Sequence, residues 1–118
     1  MLVRAMLVTV SVVALVALVT LPASAQDYVG TWSSNPAQCR NGQEVEDAPL
    51  IMKRNRYDQH EAHCTFVAVT KHAAYWSVRS RCVVEGTNVT NNFTIQVDAD
   101  TLIMTGEDKG QTQLQRCR

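Results

Sequence analysis

The sequence predicts an all-β domain: a small antiparallel meander of seven to eight strands, closed or nearly closed into a barrel, with two disulfides. Three observations predict it. After Pro49 the chain repeats short stretches rich in Val, Ile, Thr, Phe, Tyr and Trp, which polar clusters separate and which show no long helical period. The chain of 118 residues contains four cysteines. Hairpin registers derived from the turns place apolar side chains of successive strands on one face.

The first 25 residues have the pattern of a cleavable secretory signal peptide. Arg4 precedes an apolar run of 16 residues from Met6 to Leu21, and Ala23-Ser24-Ala25 forms an A-x-A cleavage pattern. The run is shorter than the roughly 20 apolar residues that a membrane-spanning helix needs. We therefore expect Gln26 to begin a mature single domain, residues 26–118, without a membrane span. Its expected location is the periplasm or the extracellular space.

The four cysteines all lie in the expected mature domain. Their separations of 25, 18 and 35 residues contain no C-x-x-C pair, which favours two disulfides over a zinc site. Four cysteines allow three pairings. They are Cys39, Cys64, Cys82 and Cys117.

The register of the central hairpin selects one of these pairings. Strands are expected over residues 28–33, 50–53 and 57–60, followed by a strand from Cys64 to Thr70. If this strand turns back around Ala73, Cys64 faces Cys82 and Ala68 faces Val78. Directly opposed cysteines are within reach of a disulfide. The register therefore favours Cys64–Cys82 and, by elimination, Cys39–Cys117.

Two further turns extend the meander. Gly86, as the first residue of a two-residue type II′ turn, places Val84 opposite Val89. The turn at residues 98–101 places Val97 opposite Leu102, and a last strand over 111–117 follows the turn at 107–110. So many short strands in a small domain favour closure, because an open sheet leaves unprotected edges.

The charge of the mature chain argues against two classes of partner. Without Arg4 the chain keeps ten basic and eleven acidic residues, which gives a formal charge near −1. Nucleic acid and anionic membrane normally require a clustered positive surface, so neither is expected as a partner. The short basic run Lys53-Arg54-Asn55-Arg56 is interpreted as a solvated loop.

Three residues near the two ends of the domain carry a family resemblance. Gly30-Thr31-Trp32, at the start of the first strand, together with Arg116 near the end of the last, resembles the signature of the calycin superfamily, which includes lipocalins and avidins. The resemblance implies a calycin-like barrel in which Trp32 plugs one end and Arg116 packs over it. Gly30, Trp32 and Arg116 are therefore expected to be structural residues.

Within that superfamily the chain is most similar to the small exported bacterial protease inhibitors of the alkaline-protease-inhibitor type. Size, the G-x-W start and the nearby Cys39 carry this likeness, which implies a free N-terminal arm inserted into a metalloprotease cleft. Here only residues 26–29 precede the motif, and the chain has four cysteines where that pattern has two. The chain is also similar to short uncharacterised proteobacterial envelope proteins with a G-T-W start, a C-x-F/V strand and a terminal R-C.

Three histidines are weak candidates for a metal site. His60 and His63 are three positions apart, so they do not form the H-E-x-x-H helix pattern, and on a strand they would face opposite sides. A loop could still bring them together with His72 and Glu61. Solvated side chains that flank a strand are the favoured interpretation, and neither a metal nor a cofactor is expected.

The sequence contains no hydrolase elbow, phosphate loop or dinucleotide fingerprint, and the serines lack a base partner. We therefore predict no catalytic residues and a non-enzymatic protein. The expected function is an exported binding module that recognises another envelope or extracellular protein, for example as a protease or other enzyme inhibitor. Its contacts are expected at residues 41–47, 71–75 and the N-terminus. The alternative is a carrier of a small apolar ligand inside the barrel.

Overall fold

The computed structural model describes residues 12–17 and 27–118. The signal peptide expected over residues 1–25, and its cleavage site before Gln26, lie outside the described residues except for the irregular, exposed segment 12–17. Among the described residues, no helix has the length and apolar character required to cross a bilayer.

Eight antiparallel strands form a closed barrel in which each strand pairs with the next and the last pairs with the first. The predicted fold class is confirmed. The strands are β1 Gly30–Ser33, β2 Leu50–Met52, β3 Arg56–Gln59, β4 Ala62–Lys71, β5 Trp76–Val84, β6 Thr87–Asp98, β7 Thr101–Gly106 and β8 Gln111–Arg116.

A short 3-10 helix, Pro36–Arg40, separates β1 from β2 and ends β1 early. The side chain of Asn35 accepts a hydrogen bond from the N–H of Ala37 at 3.0 Å and so caps this helix. Pro36 has no N–H to donate and therefore cannot continue the strand ladder. Both β1 and β2 are consequently short, with four and three residues.

Both predicted disulfides are present, Cys39–Cys117 and Cys64–Cys82, with no free cysteine among the described residues. Cys64 and Cys82 are direct partners in the β4–β5 register, as predicted. Cys39–Cys117 ties the 3-10 helix to the chain just after β8. The two disulfides indicate an oxidising, extracytoplasmic environment.

The predicted register of β4 and β5 holds from Cys64 to Phe66 and is wrong beyond it. A β-bulge at Val67 adds one residue to β4, so that Ala68 faces Arg79, and Val69 faces Val78. At a bulge, two residues of one strand lie opposite one residue of its partner. Every later side chain of the bulged strand therefore moves to the other face of the sheet. Val69 can therefore pack against the core while Val67 is exposed.

The predicted β5–β6 register is displaced by two residues. The turn consists of Glu85 and Gly86, both with positive φ (50° and 81°), which is the type I′ geometry and not the expected type II′. Val84 therefore faces Thr87, and Val89 faces Cys82. A displacement by two keeps each side chain on its predicted face. The β6–β7 register is confirmed, with Val97 opposite Leu102.

Side chains fill the interior of the barrel. The meander alternates its loops between the two barrel ends, which we call the closed end and the open end. Loops 53–55, 72–75 and 99–100 and both ends of segment 27–118 lie at the closed end; loops 41–49, 60–61, 85–86 and 107–110 lie at the open end. The buried interior includes Trp32, Met52, Phe66, Trp76, Val78, Ile95 and Leu102.

Candidate functional site

A cleft of about 440 Å³ opens between the strands at the open end. Its floor is apolar and consists of Leu50, Tyr57, Phe93, Met104 and Leu114. Its sides carry polar groups from Gln59, Asn91, Asp108, Gln111 and Thr112, with Gly106 and Gly110. The volume falls within the range of roughly 300–1,000 Å³ that is usual for ligand pockets.

The two aromatic rings of this floor, Tyr57 and Phe93, pack with a third ring, Phe66, which belongs to the core and does not line the cleft. The ring centroid of Tyr57 lies 5.8 Å from that of Phe93 and 6.2 Å from that of Phe66, in tilted and edge-to-face arrangements that aromatic pairs prefer. Burial raises the pKa of Tyr57, although the hydrogen bond from Asn91 opposes that shift. Asn91 Nδ2 donates to Tyr57 Oη at 3.2 Å. The hydroxyl is thus neutral at physiological pH and fixed at the base of the cleft.

The cleft exists because the barrel wall is incomplete beside β8. The last partners of β1 and β8 are Ser33 and Gln115, and the chain then turns away into the 3-10 helix. The N–H of Arg116 donates to Asp100 of the β7 side, whereas that of Cys117 donates to Thr31 of β1. Backbone groups alternate in direction along an antiparallel strand. Every second residue of β8 therefore directs its N–H and C=O groups to the same side as Cys117. For Gln111 and Gln113 that side is the one where β1 would continue, beyond the point at which β1 ends.

The loops of the open end carry mostly negative charge. Seven exposed acidic residues lie there with a single lysine, Lys109. We call these acidic residues the acidic rim: Glu44, Glu46, Asp47, Glu61, Glu85, Glu107 and Asp108. Within the described part of the chain, only Glu61 of this set lies within 4.0 Å of a basic side-chain nitrogen, His60 Nε2. Among the residues that line the cleft, Asp108 is the one with a charged side chain.

The closed end differs in both charge and packing. Its loops and strand ends carry Lys53, Arg54, Arg56, Lys71, Arg116 and Arg118 against Asp27, Asp98 and Asp100. The ring of Tyr28 packs edge-on against that of Trp76 at 5.2 Å, and its hydroxyl donates to Arg54 O at 2.8 Å. Aromatic side chains therefore fill the end of the barrel that the N-terminal segment covers.

The three residues expected to be structural meet at this closed end. The guanidinium carbon of Arg116 lies 4.2 Å from the centroid of the fully buried Trp32 ring, the contact that the resemblance implies. Arg116 also donates to the backbone oxygens of Asp27 and Val29. A Cβ at Gly30, where φ is +154°, would lie 2.7 Å from Arg116 Nη1. Only glycine leaves room for this arrangement.

The histidine candidates do not form one site. His63 Nδ1 lies 2.7 Å from Asp58 Oδ1, and His60 Nδ1 lies 2.9 Å from Gln43 O, both near the open end. His72 stacks on Tyr75 at the closed end, so the three cannot share one ion. Within segments 12–17 and 27–118, no cluster of three histidine, cysteine or carboxylate side chains is arranged to hold a metal.

Asp58 is part of an ionic cluster on the outer wall. Burial alone would raise the pKa of Asp58, but hydrogen bonds and charge from Arg56 and His63 lower it overall. Arg56 Nη2 donates to Asp58 Oδ1 at 2.7 Å. The carboxylate of Asp58 is thus ionised and held by two partners.

The contacts predicted from the sequence lie at different ends. Residues 41–47 border the open end, where Gln43 binds His60, whereas residues 71–75 and the N-terminal segment lie at the closed end. Sequence reasoning missed the cleft and the acidic rim. The rim could have been found, because loops of an up-and-down meander alternate between ends, which places the acidic turns 60–61, 85–86 and 107–108 together. The cleft depends on where β1 ends and had no such signal.

Comparison of the chain with protein-family models, with curated proteins and with solved structures finds no match in any of the three.

Proposed function

We propose that this domain is an exported, non-enzymatic binding module, periplasmic or secreted, whose partner is another envelope or extracellular protein. The observation that carries the proposal is the cleft at the open end, which is accessible to solvent and lies above a barrel interior filled by side chains. Loop 107–110 contributes Asp108 and Gly110 to its wall, and loops on a rigid scaffold are the common place for recognition. Two disulfides fix that scaffold.

The filled interior favours a protein partner over an enclosed small ligand. Phe66, Ile95 and Leu102 occupy the centre of the barrel and are 8% exposed or less. A small barrel filled in this way has no room for a carried molecule at its centre. A partner side chain entering the cleft from outside needs no such room. Inhibition of an envelope protease or other enzyme is the more specific form of the proposal, which the resemblance to the alkaline-protease-inhibitor type in size, G-x-W start and nearby Cys39 supports.

The test is capture of a partner with a matched pair of variants. Tagged protein is exposed to envelope and extracellular fractions of its source cells, and stoichiometric partners are identified by mass spectrometry. Gln111→Arg places a cation at the cleft and is expected to abolish capture. Gln96→Arg makes the same change at an exposed position of β6 away from the cleft and is expected to retain it. Capture that is equal for both variants would contradict binding at the open end.

Two further readouts separate the alternatives. Native mass spectrometry of protein isolated from its own compartment is expected to give the mass of the disulfide-bonded chain alone. A retained small molecule would instead favour the carrier of an apolar ligand. If the captured partner is an enzyme, its activity is measured with increasing amounts of the domain. Stoichiometric loss of activity would support inhibition, and unchanged activity would restrict the proposal to binding.

A further inference from the structure

The free edge of β8 gives the cleft a specific chemical character. The N–H and C=O groups of Gln111 and Gln113 point toward the position that β1 leaves empty, and both residues are exposed. An exposed strand edge is a template for one more strand. Extended peptides bind such edges through main-chain hydrogen bonds, while alternate side chains enter adjacent pockets. Here the pocket adjacent to the edge is the cleft itself, since Gln111, Thr112 and Leu114 line it.

The charge of the open end selects among extended peptides. Asp108 lies in the cleft wall, and one of its oxygens, Oδ1, accepts a hydrogen bond from the N–H of Gly110 at 2.9 Å. The second oxygen can accept from a cation. The floor below presents the rings of Tyr57 and Phe93, which suit the alkyl stem of an arginine or lysine side chain. Of the acidic rim only Asp108 lines the cleft, and the other carboxylates of the same barrel end attract positive charge over a longer range and repel acidic segments.

We propose that the open end binds an extended, basic segment of a partner protein. The segment adds a short strand to the edge of β8 at Gln111 and Gln113, and one arginine or lysine side chain enters the cleft beside Asp108. This inference rests on the proposed function and specifies the chemistry of its partner. The closed end has basic loops and a filled barrel mouth, and its pocket, beside Arg40, Arg116 and Arg118, lies away from the free edge of β8.

The probe is an acetylated, amidated pentapeptide of threonine, valine, arginine, valine and threonine, which favours an extended conformation. Nuclear magnetic resonance titration is expected to shift the amide signals of Gln111 and Gln113 and of residues lining the cleft. Replacing arginine with citrulline, which has nearly the same shape without the charge, is expected to weaken binding at least tenfold. Two further peptides replace alternate amides with esters, one at the odd and one at the even positions. Only one of the two is expected to bind more weakly, because alternate N–H groups of an extended peptide face the same side and only one set faces β8.

A matched pair of variants tests the role of the carboxylate. Asp108→Asn keeps the oxygen that accepts from Gly110 and removes the charge. It is expected to reduce affinity for the arginine peptide about tenfold, to the level of the citrulline peptide, and to leave affinity for the citrulline peptide unchanged. Asp98→Asn makes the same change at the closed end and is expected to leave both affinities unchanged. Thermal unfolding confirms that both variants fold.

Several outcomes would overturn the inference. They are equal binding of the arginine and citrulline peptides, shifts confined to the closed end, no binding of any peptide, and a concentration-dependent dimer in which β8 edges pair. The capture experiment keeps the two proposals apart. If a partner is captured and Gln111→Arg abolishes capture while the peptides fail, the proposed function stands and the basic-segment inference falls. If no partner is captured, the proposed function fails, whatever the peptides do.

Discussion

The two ends of the barrel are built from the same eight strands in opposite ways. At the closed end Tyr28, Trp32 and Trp76 fill the barrel mouth, and Arg116 covers Trp32 while it binds the N-terminal backbone. At the open end β1 stops early, which leaves a cleft and a free strand edge. The loops of that end carry the acidic rim. The closed end therefore contributes packing and hydrogen bonds to stability, whereas the open end leaves polar and charged groups exposed to solvent.

Removing the disulfide Cys39–Cys117 tests the covalent part of this difference and is expected to have the largest effect. The bond closes a loop of 78 residues and restricts the conformations of the unfolded chain. Without it the entropy of the unfolded chain rises, and the free energy of unfolding is expected to fall by about 4.5 kcal/mol. The measurement is urea unfolding of the double variant Cys39→Ala, Cys117→Ala. Arg40→Ala, next to Cys39 and exposed, is the control, with an expected loss below about 0.5 kcal/mol. If the double variant lost no more stability than the Arg40→Ala control, the disulfide would not be a main source of stability at the closed end.

Truncating one side chain at each end compares their packing directly. Trp32→Ala removes a fully buried ring and exposes the guanidinium of Arg116 to a cavity, with an expected loss of about 3–5 kcal/mol. Met104→Ala enlarges a cleft that is already open to solvent, so its expected loss is about 1 kcal/mol, less than for a buried side chain. Denaturant unfolding of both variants gives the comparison. Similar losses would show that the open end is packed as tightly as the closed end.

Two charged probes test the difference in charge. A hexa-arginine peptide is expected to shift amide signals of the acidic rim, and a sulfated hexasaccharide is expected to shift those near Lys53, Lys71 and Arg118. Raising the salt from low to physiological concentration is expected to weaken both effects roughly tenfold, since exposed charges are screened beyond about 8 Å. Shifts spread evenly over both ends would mean that the charges are not separated in solution.

The smallest expected effect on stability comes from removing the charge of Asp58, a carboxylate with two ionic partners, compared with that of Glu85 in the acidic rim. The pKa of Asp58 lies below its ordinary value of 3.8, so its stabilising effect is present above that pH and is lost as the pH falls through the lower folded value. Asp58→Asn is expected to cost about 0.5 kcal/mol at pH 7, and the difference from the unsubstituted chain is expected to shrink as the pH falls below 3.8. Glu85→Gln, in the acidic rim, is the control with no comparable loss. Thermal unfolding across this pH range measures both.

The sequence was sufficient for the parts of the barrel that depend on local patterns. Alternating apolar residues and the turn at residues 98–101 predicted the β6–β7 register, and opposed cysteines predicted Cys64–Cys82. The Val67 bulge was not predictable in this way, because it depends on how β4 curves around the core. The type I′ turn was missed because Gly86 suits either position of a two-residue turn, and Glu85 adopts a left-handed conformation that its residue type does not signal.

The candidate site was harder to predict than the fold. Its floor uses residues that look like ordinary core, such as Tyr57 and Phe93, and the sequence does not reveal that the wall beside them is missing. That gap results from Asn35 and Pro36, which divert the chain after Ser33. Gly30, Trp32 and Arg116 were singled out through a resemblance, and in the structure Arg116 packs over the Trp32 ring. His60, His63 and His72 were only weak metal candidates, because their spacing favoured solvated side chains, and the placement of His72 at the closed end separates it from the other two.

The bond between Cys39 and Cys117 also affects how the domain responds to a protease. Together with the chain between them it makes a covalent ring that contains β2 to β8 and every loop of the acidic rim. A single peptide-bond cut in any of these loops opens the ring without releasing a fragment. The nicked chain keeps its molecular mass on a non-reducing gel apart from one added water, and its strands remain tethered. A domain cut once in one of these loops therefore remains one covalently connected molecule.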